Sequence, residues 1–153
     1  MTVSGKEVLV LWSAITDSAA GTPAHGAEAV VSCSTNGTLS VTQNTTTVSC
    51  KDTAAGGWES AVPTTKTWEV TVDALYQSDD AAGKSQFVDL MSLFISGNND
   101  VWVVYGGTQS GEHTWYGRAI CTSLSHNAPD GDSATYSATF TGKGALTHEA
   151  VTP

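Results

Sequence analysis

The side chains able to do chemistry in this 153-residue chain are few and scattered. Four histidines, His25, His113, His126 and His148, fall in separate segments, and none stands four residues from another as a helical metal pair would. No HExxH, glycine-rich phosphate loop or GxSxG element is present. Cys33, Cys50 and Cys121 are odd in number and widely spaced, which gives neither a disulfide framework nor a zinc pattern. They read as free, mostly buried thiols, with a Cys33–Cys50 bridge as the alternative. Asp130-Gly131-Asp132 contains part of a calcium loop but lacks the further acids and closing Glu, and reads as a tight turn. Glu69 and Asp73 could serve as acid and base. Four residues along a strand, however, hold them about 13 Å apart, too far for a glycosidase pair. The expectation is a non-enzyme with no metal and no cofactor.

Five tryptophans raise a second chemistry, the stacking of sugars on exposed rings. Trp12 and Trp68 fall in strand patterns as core residues, and Trp102 and Trp115 read the same way. Trp58 does not. It lies in 51–65, KDTAAGGWESAVPTT, where Gly56-Gly57 and Pro63 break regular patterns and predict a long loop.

The elements that must position these residues are mostly strands. Charged residues make up 14% of the chain, well below the usual share, and Thr, Ser and Gly fill the gap. Residues 6–13 form an apolar strand. The segments 28–35 and 38–42 flank Asn36-Gly37, which predicts a two-residue hairpin turn, and 45–50 extends towards the loop. In 66–76, Trp68, Val70, Val72 and Ala74 alternate with Glu69, Thr71 and Asp73. Phe87, Leu90, Met91 and Phe94 then mark one stripe of a helix near 85–96, capped by Ser85 and stopped by Gly97-Asn98. Strands resume at 100–106 and at 113–125, with Gly117 a candidate bulge. The last clear strand, 133–144, alternates Ala134, Tyr136, Ala138 and Phe140 against Thr135, Ser137, Thr139 and Thr141. The pattern predicts one mainly β domain over 1–153, a β-sandwich or partly open barrel with one flanking helix.

Acids outnumber bases 15 to 6, for a net charge of −9. That opposes tight nucleic-acid binding, which needs clustered Lys and Arg. The start lacks the pattern of a signal peptide and no window is long and apolar enough for a membrane span, so a soluble chain made in the cytoplasm and free of membranes is expected.

Three stretches together resemble a known family: GGWESAVPTTKTWEVTVDALY (56–76), SQFVDLMSLFIS (85–96) and AICTSLSHNAPDGDSATYSATFTGKGAL (119–146). This order is similar to the major tail proteins, or tail tube proteins, of phages with long non-contractile tails. The family reads as a Gly/Trp/acid loop entering a W-x-V-x-V-D-A/G-L strand, then a helix, then an ending of the form TSLSxxAPxxDxATYSxxFxGxGxL. The ending is the most specific part, matching here through Thr122-Ser123-Leu124, Ala134, Tyr136, Phe140, Gly142, Gly144 and Leu146; Trp68 carries the earlier strand motif. Residues 1–45 match less clearly.

The resemblance implies a structural virion protein whose hexameric rings stack into a hollow tail tube, present in the host cytoplasm before assembly and in the virion tail afterwards. Its implied partners are further copies of itself, a tape measure protein, a tail terminator and distal tail proteins, with double-stranded DNA passing through without tight binding. Glu69, Thr71, Asp73, Thr135, Ser137, Thr139 and Thr141 are then candidate lumen residues, although an ordinary solvated sheet face would read the same. Lys51, Asp52, Trp58 and Glu59 are candidate contacts to the adjacent ring. The alternatives are a carbohydrate- or ligand-binding β-sandwich, with Trp58 stacking on sugar, and a secretion-system tube protein of the same fold.

Overall fold

A computed structural model describes residues 8–14, 29–31, 34–49, 56, 58–76, 84–85, 87–97, 100–107 and 109–151. Among them, nine strands form one sheet and ten residues form a helix. The strands are β1 (Val8–Ala14), β2 (Ala29–Val31), β3 (Ser34–Val48), β4 (Ser60–Leu75), β5 (Lys84–Ser85), β6 (Asp100–Gly107), β7 (His113–Asn127), β8 (Thr135–Gly142) and β9 (Thr147–Ala150). The helix α1 is Phe87–Ser96. The sheet order is β3-β4-β8-β7-β6-β1-β2-β5, with β9 added alongside β7. All pairings are antiparallel except β2 with β5.

The alternations in 66–76 and 133–144 fold as expected. Trp68, Val70, Val72, Ala74, Tyr136, Ala138 and Phe140 are all buried, and they meet Val10, Trp12, Val31, Val101 and Val103 across the core. Each such Val or Phe side chain taken from water contributes about 1.5–3 kcal/mol. β6 is apolar on both faces because it lies between β7 and β1 in the middle of the sheet.

Asn36-Gly37 is not a turn. Both residues lie inside β3 and pair with Asp73 and Val72 of β4. The glycine serves a close approach instead: a Cβ on Gly37 would sit 2.9 Å from Val10 Cγ2, and the Tyr105 hydroxyl donates to the Gly37 carbonyl at 3.4 Å. The sheet thus folds over until β3 reaches β1 and β6.

The predicted loop also shortens. Residues 60–65 belong to β4, and Pro63 pairs with Thr45 beside a register shift. β4 gains its second neighbour, β8, only from Glu69 onward, so Pro63 stands where the ladder is one-sided and a missing N–H is tolerated.

The helix starts at Phe87, two residues later than the sequence indicates, and Ser85 belongs to β5. It stops at Gly97, with φ of 80°, as the sequence indicates. Leu90 is its one fully buried residue, with Phe87 and Leu93 against the core, whereas Phe94 turns outward. Phe87 seats among Tyr76, His126 and Tyr136, with ring centroids 5.9, 5.2 and 5.4 Å away.

Gly117 is not a bulge either. β6 and β7 stay in register through the Val103–Gly117 pair, and the shift in β7 lies between Cys121 and Ser123. A Cβ at Gly117 or Gly142 would come within 2.7 or 2.3 Å of the Trp68 ring, and the indole N–H donates to the Gly144 carbonyl at 3.0 Å. The two glycines form the socket for that tryptophan.

Candidate functional site

All seven residues expected on a polar strand face are brought together. Glu69 pairs with Thr141, Thr71 with Thr139, Asp73 with Ser137 and Leu75 with Thr135, so β4 and β8 present one contiguous surface opposite the core. β3 adds Asn36, Thr38 and Ser40 beside Asp73, Thr71 and Glu69. β7 adds Ser123, Ser125 and Asn127 beside Thr139, Ser137 and Thr135.

The extra residue at the β7 irregularity, Thr122, turns its hydroxyl onto this face, 3.1 Å from the Thr141 hydroxyl, and donates to the Thr139 carbonyl at 3.4 Å. Asn36 Nδ2 donates to Asp73 Oδ2 at 3.4 Å. The four-stranded face therefore carries hydroxyls, amides and the carboxylates of Glu69 and Asp73, and Ile120, paired with Thr141, puts Arg118 on the same side of β7. Two of the six bases, Arg118 and Lys143, close on Asp100 at 3.7 and 3.1 Å beside this face.

This four-stranded piece has two open edges among the described residues. β3 has a partner on one side only. β7 pairs with β6 up to Ile120, so 121–127 have β8 on one side and no strand on the other. Three successive antiparallel pairings separate β3 from β7, so the two open edges run in opposite directions.

Beyond the core, β3 and β4 continue as a two-stranded arm in which every residue from 60 to 67 is exposed. Val41 pairs with Trp68 and shares its side of the ribbon, while beyond the register shift Thr46 pairs with Val62 and Val48 with Ser60, which places Val48 and Val62 on the other side. Val41, Val48 and Val62 are 58%, 46% and 44% exposed, and Trp58, just before β4, is 84% exposed. Glu59 beside it is exposed too, while Lys51 and Asp52 lie outside the described residues.

The tryptophans divide differently from expectation. Trp12, Trp68 and Trp102 are buried, but Trp115 is 36% exposed, its ring against His148 at a centroid distance of 5.5 Å. Cys121 is a buried free thiol whose S–H donates to the Ser123 carbonyl at 3.7 Å. Burial raises its pKa, the hydrogen bond opposing that shift, so it stays a thiol and a poor nucleophile. Cys33, Cys50 and His25 lie outside the described residues. Among the described residues no three His, Cys, Asp or Glu side chains gather as metal ligands, and Gly131, with φ of 77°, makes the 130–132 segment a turn. A shallow open depression of about 290 Å³ over Asp73, Ser125, Asn127 and Ser137 holds neither a nucleophile–base pair nor a histidine.

The described residues thus combine a polar sheet face, two open strand edges and an exposed arm that carries Trp58, Val41, Val48 and Val62. Residues 2–148 match the model of the phage tail tube protein family. The chain is a member of that family. It is accordingly a structural, tube-forming protein, and its mainly β fold with one helix is the tail tube fold.

Solved structures agree on the fold. The tail of an empty gene transfer agent particle, determined with C6 symmetry, superposes with a TM-score of 0.72 at 16% identity, covering 97% of this chain and 100% of the other. The SPP1 tail tube gives 0.69 at 12% identity over 99% and 81% of the two chains. The sheath/tube terminator of an extracellular contractile injection system gives 0.65 at 13% identity over 98% of each. A comparison with curated proteins returned no match.

Within the family's motif, Trp68, Tyr136 and Phe140 are buried and Gly142 forms part of the Trp68 socket. Ala134 accepts from the Tyr76 N–H at 2.8 Å where β4 ends. Three features escape a reading of the sequence. The Thr122 irregularity and the open 121–127 edge depend on strand register, and the contact of His113 with His148 depends on β9 returning to β7.

Proposed function

We propose that this single tail tube domain assembles into six-membered rings that stack into the virion's tail tube, with the face of β3, β4, β8 and β7 lining the bore. The observation that carries this reading is the pair of open, oppositely directed edges flanking that face. Joining β3 of one copy to 121–127 of the next continues the antiparallel sheet without reversing a strand. Six copies of four strands spaced about 4.8 Å apart enclose a perimeter of about 115 Å, hence a diameter of about 37 Å before side chains and strand tilt are counted. That is wide enough for a nucleic-acid duplex. The face bears Glu69 and Asp73, and the bases beside them, Arg118 and Lys143, are paired with Asp100, so it repels phosphate, which suits passage without retention.

The arm then serves the adjacent ring. Trp58, with Glu59 and, in the neighbouring sequence, Lys51 and Asp52, is the anchor, and Val41, Val48 and Val62 extend its apolar surface. The exposed Val88, Phe94 and Ile95 of α1 offer a receiving surface of the same character. The tube's further partners are a tape measure protein inside it and terminator and distal proteins at its ends. The chain waits in the host cytoplasm before assembly.

Negative-stain microscopy of the concentrated, purified protein tests this reading, with hollow six-fold tubes as the expected image. A chain that stays monomeric at high concentration and is retained on a glycan column would overturn it.

A further inference from the structure

His113 opens β7 and His148 sits in β9, and the β7–β9 pairing brings their rings together. His148 Nε2 lies 2.9 Å from His113 Nδ1, with ring centroids 4.8 Å apart. Two nitrogens bound to one ion at about 2.0–2.1 Å stand about 2.9–3.4 Å apart for angles between 90° and tetrahedral. The two rings share a hydrogen bond at a spacing that also suits two adjacent ligands of one metal, which would take the place of the shared proton.

Its placement is fixed by the backbone. His113 pairs with Ala150 and Trp115 with His148, so both imidazoles emerge on one side of the ladder. The Gly111 N–H donates to the Val151 carbonyl at 3.0 Å and the Val151 N–H to the Glu112 carbonyl at 2.8 Å, which closes the end of that ladder. The Trp115 ring lies against His148 at a tilt of 37°. Rings held by a ladder and an indole lose little freedom on binding.

The geometry points to a two-histidine transition-metal site that clips β9 to β7, taking a borderline dication such as Ni²⁺ or Zn²⁺. Imidazole ligands select these ions over Ca²⁺ and Mg²⁺, which require oxygen. Both histidines are exposed, so water can fill the remaining coordination positions. No third His, Cys, Asp or Glu joins them among the described residues, which sets a modest affinity. The net charge of −9 raises the local cation concentration without choosing among cations. The ion binds the folded ladder and not the separated strands, so it stabilises the closure of β9.

The test is a calorimetric titration of untagged protein with NiCl2, paired with thermal unfolding followed by tryptophan fluorescence. One ion should bind per chain and raise Tm. His113→Ala and His148→Ala should each weaken binding tenfold or more and abolish the Tm shift, while His126→Ala and His25→Ala change neither. His148→Gln keeps a polar side chain in β9 and provides a folded variant should alanine loosen the strand. Binding that survives both alanine substitutions, an equal response to CaCl2, or no binding below millimolar Ni²⁺ would each overturn the proposal.

Discussion

Between Trp68 and Ala74, strand β4 buries every second side chain; between Ser60 and Thr67 it buries none, although β3 is its partner along both halves. Backbone pairing is therefore not what separates them. The inner half has β8 on its other side and a second apolar layer across the core. The outer half is a two-stranded ribbon with a register shift and a proline, an arrangement that is at best marginal alone in water. Yet the outer half exposes Val41, Val48 and Val62, with Trp58 just before it. An exposed surface of this kind marks an interaction site more often than a defect. One half holds the fold, and in the proposed tube the other meets another copy of the chain.

The sharpest way to break this comparison is at the junction. Trp68 fills the space left by Gly117 and Gly142, so Trp68→Ala leaves a cavity that the neighbouring backbone cannot close. It should cost about 3–5 kcal/mol, read by urea denaturation of unassembled protein. A loss below about 1 kcal/mol would mean the inner half is not the seat of stability.

Trp58→Ala examines the other half. With the ring 84% exposed, stability should move by no more than about 0.5 kcal/mol. A buried aromatic anchor at an interface contributes about 2 kcal/mol or more, so the concentration needed for tube formation should rise about 30-fold. Tubes of unchanged length and yield would remove the arm from the joint between rings.

The sequence made the inner half legible and the outer half hard to read, for a physical reason. Alternation shows only where one face is buried, and in 68–74 and 135–141 it placed the core and all seven polar residues correctly. The arm has no buried face, so Gly56 and Pro63 dominated the pattern and six strand residues were read as loop. Asn36-Gly37 misled because a glycine that suits a tight turn also suits a close approach, here of β3 to Val10. Gly117 misled in the same way, since its hydrogen makes room for Trp68. Trp115 looked like its buried neighbours because its exposure depends on how far β9 covers β7. The His113–His148 pair left no local trace, as its partners stand 35 residues apart.

The finest distinction lies within the inner half itself, between its two faces. Glu69 and Asp73 share a strand with Trp68 and Val72 but point away from the core, and their neighbours are Ser and Thr hydroxyls. Glu69→Lys with Asp73→Lys should therefore shift stability by no more than about 0.5 kcal/mol and leave tubes intact. Each substitution moves the charge by two units in every subunit, repeated around each ring and along the tube. DNA would then meet a wall that can hold its phosphates through contacts that weaken as salt rises. Ejection from assembled particles should slow at low salt and recover at high salt. Ejection at the normal rate through intact tubes would place these two carboxylates outside the bore. Slowed ejection that salt does not relieve would point to an altered shape of the channel instead of its charge.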